Sequence, residues 1–253
     1  MVHLTLLRAL AIFGAGIAAG TINTVVGSGT LITFPVLLAF GYPPVVANVS
    51  NTIGLVPGSA SGAFGYRHEL TGQKRRVVPL AIASLCGGVT GAILLLSLPA
   101  SAFEAIVPAF IGIALVLIVA QPAIGRWLAK HHPEPRHEAG VAATGGVYCS
   151  GVYGGYFGAA QGILLLAILG LAIDDELQRL NAVKVILVGL VNLVSGVIFV
   201  FVATVAWLPA LLIALGSVLG GVFGARGGRR LPQPLLRALI VLVGIAAIAR
   251  LLS

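Results

Sequence analysis

One pattern of small residues occurs twice in this chain at a constant offset and without a gap. Gly16, Gly20, Gly27, Ala47 and Gly54, in the segment Gly16 to Phe64, meet Gly151, Gly155, Gly162, Ala182 and Gly189 in Gly151 to Phe199. About one glycine coincidence is expected by chance in such a window, fewer than occur here. The chain therefore reads as two copies of one unit, residues 1–121 and 141–253, joined by a polar link at 122–140.

What surrounds the repeat decides its solvent. With 58% hydrophobic and 9% charged residues and a mean hydropathy of +1.08, the chain cannot coat a water-soluble globule, where about a quarter of residues are charged. In hydrocarbon only helices or closed barrels satisfy their backbone groups, and long apolar runs without period-2 alternation mean helices. The fold class is all-α and polytopic, with the lipid bilayer as its main partner. Candidate helices are Thr5 to Val26, Ser28 to Phe40, Pro43 to Tyr66, Val77 to Leu98 and Ala102 to Gln121. After the link come Val141 to Gln161, Gly162 to Ile173, Glu176 to Ala206, Pro209 to Ala225 and Leu235 to Leu252.

A full span takes about 20 residues, so the segments after Gly27 and Gly162 are half-helices that break at membrane depth. Met1 to Gly20 has the charge and small residues of a secretory signal, but it contains the start of the repeat and is read as the first span.

The net charge of +8 raises nucleic acid as a partner, but the basic residues sit in short turns and not along a stripe, so they are read as orientation signals. Arg67, Lys74, Arg75 and Arg76 fill one turn, and Arg226, Arg229 and Arg230 another. Both belong in the cytoplasm. Their counterparts, Trp207 to Pro209 and Leu98 to Ser101, are uncharged external turns, so the two copies run in opposite directions. An odd number of crossings per copy fits such an inverted repeat. It places the link, with Arg126, Lys130, Glu134, Arg136 and Glu138, inside and both termini outside an inner (plasma) membrane.

The glycine triplets Gly87, Gly88, Gly91 and Gly216, Gly220, Gly224 are read as close-packing seams. Cys86 and Cys149 lie in apolar segments without a charged neighbour and are read as packing residues. His3, His68, His131, His132 and His137 fall in terminal or loop segments; solvation is the plain reading, a metal site in the link the alternative. No metal or cofactor is expected elsewhere.

Chemistry concentrates at the breaks. Around Asn23, Thr24, Gly27, Ser28 and Gly29 the backbone is freed and the next half-helix starts with unpaired amides, which carry about half a positive charge and cradle anions. The matching break at Gln161 and Gly162 aims a second helix start at the same midplane site; the alternative is that these glycines only pack tightly. Asn48, Asn51 and Thr52 share a helical face, and Asn192 lies on the corresponding later span; they either donate to an anion or hydrogen-bond between helices. Lys184 carries a charge that costs about 2.5 to 3.5 kcal/mol at a helix centre. It either neutralises a bound anion or snorkels to the surface. Asp174, Asp175 and Glu176 suit the start of that helix by capping and dipole.

Apart from Glu104 the spans hold no carboxylate, which argues against proton coupling, and a negative interior drives anions outward by about 2.3 kcal/mol per charge per 100 mV. No nucleophile and base come together in the spans, which disfavours a membrane-embedded enzyme, and the polar loops are too short for a mere anchoring subunit. A small anion is the expected ligand, by carrier or by channel; a homo-oligomer stays open.

The string from Gly20 to Leu38, then Gly41 to Pro44 and Ala47 to Thr52, resembles the TauE/SafE family of sulfite exporters and related permeases. In copy two, Gly151 to Gly158 and Asn181 to Lys184 are similar to that family's second-half motifs. The resemblance implies transport of small, often sulfur-containing anions such as sulfite, sulfonates or sulfoacetate through a site between the halves. Ser28 and Thr30 stand within the glycine run usual for the family.

Overall fold

The computed structural model describes residues 5–130, 140–227 and 233–252. These form ten α-helices and, among the described residues, no strand: α1 (Leu6–Val25), α2 (Thr30–Ala39), α3 (Pro44–Gly65), α4 (Lys74–Ser97), α5 (Ala100–Lys130), α6 (Val141–Tyr156), α7 (Gln161–Ala172), α8 (Leu177–Val202), α9 (Trp207–Gly227) and α10 (Gln233–Leu252). Five of them, α1, α4, α5, α8 and α9, are long and apolar enough to cross a membrane. The half-helices α2 and α7 have 10 and 12 residues. The protein is an all-α polytopic membrane protein whose outer faces carry large apolar side chains such as Ile82, Val116 and Phe201.

Three boundaries differ from expectation, each for a local reason. Helix α5 does not stop at Gln121 but runs through Pro122 to Lys130. A proline removes one ladder bond, and the good helix formers that follow resume it. Helix α8 ends at Val202, where Ala203 turns extended and Ser50 Oγ of α3 accepts the Ala206 N–H at 2.9 Å. Helix α6 ends at Tyr156 because Gly158 and Ala160 adopt positive φ of 75° and 60°. The expectations resting on His3, His131, His132, Glu134, Arg136, His137, Glu138, Arg229 and Arg230 lie outside the described residues.

Small residues bring backbones together and fix helix direction. A Cβ on Gly20 would lie 2.3 Å from Ser217 O, one on Gly16 2.9 Å from Ile213 O, and one on Gly220 2.1 Å from Ile17 O. The registers rise together, so α1 runs parallel to α9. Gly54, Gly58 and Gly65 climb α9 past Ile213, Ser217 and Ala225, so α3 is parallel to α9 as well. In the other half Gly87 meets Tyr148 and Gly91 meets Val152, making α4 parallel to α6. Ser84 Oγ donates to Leu187 O and Ser195 Oγ to Gly88 O, making α4 parallel to α8. Helices α3 and α8 cross antiparallel, Gly189 against Ser59 and Gly196 against Ile53. The helices before the 131–139 segment thus pack mainly on helices that follow it. Cys86 and Cys149 do not join these seams; both are exposed on outer faces.

The contact of Gly65 with Ala225 brings the ends of α3 and α9 together, so the turn with Arg67, Lys74, Arg75 and Arg76 lies at the same end as Arg226. A polar network ties the starts of α4 and α8 there. Asp175 accepts from Arg76 and, at 3.0 Å, from Arg179 Nε. Arg179 also donates to Thr71 O, and Gln73 Nε2 to Arg179 O. The acids before α8 are therefore only partly capping groups: Asp175 accepts the Glu176 N–H, but Glu176 itself makes no side-chain cap.

Candidate functional site

The first break follows from how α1 ends. The amides of Val26 and Gly27 both bond to Ile22 O, at 2.7 and 3.0 Å, and Gly27 takes φ of 84°, open to a residue without a Cβ. Helix α2 then begins with Leu31 N–H on Ser28 O and Ile32 N–H on Gly29 O. The amides of Ser28, Gly29 and Thr30 stand ahead of that ladder, and α2 has no side-chain cap. Ser28 is fully buried and its hydroxyl has no hydrogen-bond partner.

The second break repeats the turn. Phe157 and Gly158 amides bond to Tyr153 O, and the Tyr153 hydroxyl donates to Ala159 O. Its helix start is different, because Gln161 N–H reaches Gly158 O, Ile163 N–H reaches Ala160 O, and Gly162 N–H donates to Gly27 O at 3.0 Å. That last bond joins the two breaks. A Cβ on Gly27 would lie 2.4 Å from Gly162 Cα, so neither position admits a side chain without a shift of backbone.

Lys184, on α8, is fully buried beside this junction, its Cδ 2.9 Å from where a Cβ of Gly162 would be. Its amine donates to Asn23 O at 3.2 Å and Thr24 O at 3.1 Å, the last-turn carbonyls of α1. Asn181 Nδ2, one turn earlier on α8, donates to Thr24 O. The side chain does not snorkel. Among the described residues no carboxylate pairs with it. The other break has a neutral counterpart: Asn48 Nδ2 of α3 donates to Tyr156 O at 2.9 Å, at the end of α6. Each interrupted helix is capped from the other copy.

Of the residues singled out by sequence, Asn23, Thr24, Gly27, Gly29, Gly162 and Lys184 come together here. Asn23 Nδ2 donates to Ser59 Oγ, and a Cβ on Gly29 would touch Asn23. Ser59 was not anticipated. Asn51 is engaged within its own copy, donating to Thr30 Oγ1 and accepting from Thr33, so it fastens α2 to α3. Gln161 lies over Gly154, with its Nε2 buried and unpartnered. Thr52 and Asn192 are buried, but no hydrogen bond ties them to either break. Asn181 was legible as a partner of Lys184, since residues three apart share a helical face.

No group of three His, Cys, Asp or Glu suited to a metal occurs among the described residues. A separate groove of about 360 Å³ between α4, α5 and α6, lined by Leu98, Phe110, Val152 and Tyr156 among others, is apolar and has no charged group.

A probable membrane transporter protein, ORF9, of Sinorhizobium sp is 30% identical over 244 residues, covering 96% of this chain and 91% of that protein. The probable membrane transporter protein YfcA of Escherichia coli K12 is 26% identical over 242 residues, 95% of this chain and 88% of its own. One from Haemophilus influenzae is 24% identical over 243 residues, 95% and 92% respectively. No solved structure matches. The family model described as sulfite exporter TauE/SafE matches residues 12–251, from α1 through both breaks into α10, and the chain belongs to that family of membrane transporters.

Proposed function

We propose that the protein carries a small, sulfur-containing anion such as sulfite, a sulfonate or sulfoacetate across the inner (plasma) membrane, at a site where two inverted halves meet. The directions of the helices support the inversion: α1, α3 and α9 point one way and α4, α6 and α8 the other, so the repeat mates α1 and α6, α3 and α8, and α4 and α9 are opposed. The halves correspond to residues 1–121 and 141–253, with 122–140 as the link. The basic end, with Arg76, Arg179 and Arg226, is then cytoplasmic and both termini are external.

The observation that carries the reading is Lys184. A fully buried lysine amine held only by backbone carbonyls has no counter-charge among the described residues, so its charged form is costly until an opposite charge arrives. A permeating anion supplies that charge. At an effective dielectric of 20, two unit charges about 4 Å apart attract by about 4 kcal/mol, roughly a thousandfold in affinity.

Saturable uptake of sulfite, methanesulfonate and acetate into vesicles containing the purified protein tests this. Lys184→Gln keeps an amide donor near the α1 carbonyls but removes the charge, and it should lower anion affinity by at least a hundredfold. Affinity equal to the wild type would overturn the reading. Flux that fails to saturate, with unitary currents, would make the protein an anion channel.

A further inference from the structure

The buried amine at the junction has two acceptors and no counter-charge. Lys184 Nζ donates to Asn23 O and Thr24 O, and among the described residues no third acceptor and no carboxylate reaches it. An ammonium has three N–H donors; a neutral amine has two, with a lone pair in the third direction. The two carbonyls therefore match the neutral amine donor for donor. An ammonium would leave one N–H unspent and a charge unbalanced at a fully buried position.

The helices packed against α8, namely α1, α3, α4, α6 and α7, supply nothing else to hold that charge. Helices α3 and α7 carry no titratable side chain, and α1 only Arg8, at the end remote from Asn23. Helix α4 has Lys74, Arg75 and Arg76 in its first turn, and an exposed Cys86. On α6, Tyr148 and Cys149 are exposed, and the rings of Tyr153 and Tyr156 pack on Phe110 of α5. Tyr66, between α3 and α4, packs with Ala182 and Val185 of α8. Towards the start of α8 itself, Asp175 and Arg179 are paired with each other, and Asp175 with Arg76.

We propose that each anion is carried together with one proton, held on Lys184. This rests on the reading of the protein as an anion transporter and names its coupling ion. An aqueous proton adds to the amine lone pair as the anion arrives, giving the ammonium that balances it. The same proton returns to water on the side where the anion is released. One N–H bond is made and broken, and no electrons change hands. The scarcity of carboxylates in the spans is then no bar to proton coupling, because a buried amine takes over their role. A monovalent anion crosses as an electroneutral pair, so the pH difference and not the membrane potential sets its direction.

Methanesulfonate is the probe, because it is the anion of a strong acid and takes up no proton itself near neutral pH. Wild-type protein in weakly buffered detergent solution with a pH dye should take up about one proton per methanesulfonate bound above neutral pH. Affinity there should fall by up to about tenfold for each unit that the pH rises. In vesicles, an imposed pH difference should drive methanesulfonate uptake, and a potassium diffusion potential should not. Lys184→Gln, at concentrations that fill its weakened site, should bind without proton uptake. Wild-type binding that releases or takes up no proton and is independent of pH, with Lys184→Gln still losing affinity, would overturn the coupling and leave the transporter reading intact. Equal proton uptake by Lys184→Gln and the wild type would overturn the assignment to Lys184. Absence of any binding of methanesulfonate, sulfite or acetate by the wild type would overturn both readings. The wild-type proton count and its pH dependence decide the coupling without any variant having to fold.

Discussion

Replacing Gly162 by alanine tests whether the two breaks are in contact. Gly162 is the second residue of α7, where the exchange to alanine gains no more than the helix-interior difference of about 1 kcal/mol, so on propensity alone the variant does not lose stability. The added methyl would lie 2.4 Å from Gly27 Cα, 3.0 Å from Gly27 O and 2.9 Å from Lys184 Cδ. Two of these three atoms are backbone of the opposing break, which cannot rotate away. Relieving such an overlap costs about 1–3 kcal/mol. Moving Gly27 back also stretches the Gly162 N–H bond to its carbonyl, at about 1 kcal/mol. The sum is a net loss of about 2 kcal/mol, or roughly 4–8 °C for a chain of this size. Gly145→Ala on α6 is the reference, because a Cβ there meets nothing within 4 Å. Thermal unfolding of both variants in one detergent is the assay, with vesicle uptake beside it. If Gly162→Ala unfolds at or above the temperature of Gly145→Ala, the breaks do not touch in solution and the junction argument fails.

Two further outcomes follow from the same contacts. Asn48→Ala leaves the Tyr156 carbonyl without its donor at the end of α6 and should cost about 1–3 kcal/mol in thermal unfolding; no change would remove Asn48 as a cap. For Asp175, burial alone raises the carboxyl, but the Arg76 and Arg179 donors, the Glu176 amide and the Arg76 charge outweigh it and hold it below its ordinary range. The stability it adds is complete above the ordinary carboxylate range and fades as acid titrates it through its lower folded value, so the midpoint should fall between about pH 5 and about pH 2. Asp175→Asn should flatten that acid limb, and an unaltered limb would refute the network's role.

The helices were legible because each break is written in glycine and each turn in proline or charge. The misreadings come from signals with two meanings. Pro122 reads as a stop, yet a proline costs a helix one bond and need not end it when helix formers follow. Cys86 and Cys149 read as packed because their neighbours are apolar. In a membrane the outward face is also apolar, so hydropathy does not separate lipid-facing positions from the core. Asn51 reads either as an anion donor or as a hydrogen bond between helices, and its bonds to Thr30 and Thr33 on the preceding half-helix are of the second kind. Only the fold brings those hydroxyls within reach.

The two interrupted helices are capped by different residues. Under the repeat offset Lys184 corresponds to Val49, and Asn48 to Val183, so the two caps are not the same residue copied twice. Each copy places a donor one register position apart from its mate and reaches the carbonyl end of the other copy's broken helix. The neutral amide suffices for capping, as the α6 end shows. A lysine at the α1 end therefore exceeds what capping requires, and its charged form is costly in a buried setting where no carboxylate among the described residues pairs with it. The same half of the junction holds the unpartnered Ser28 hydroxyl and the unspent amides of α2. The contact that joins the breaks is the single Gly162 N–H bond to Gly27 O, whereas the Gln161 and Ile163 amides bond within their own turn, so each helix start still carries a buried, unpartnered polar side chain, Ser28 at α2 and Gln161 at α7.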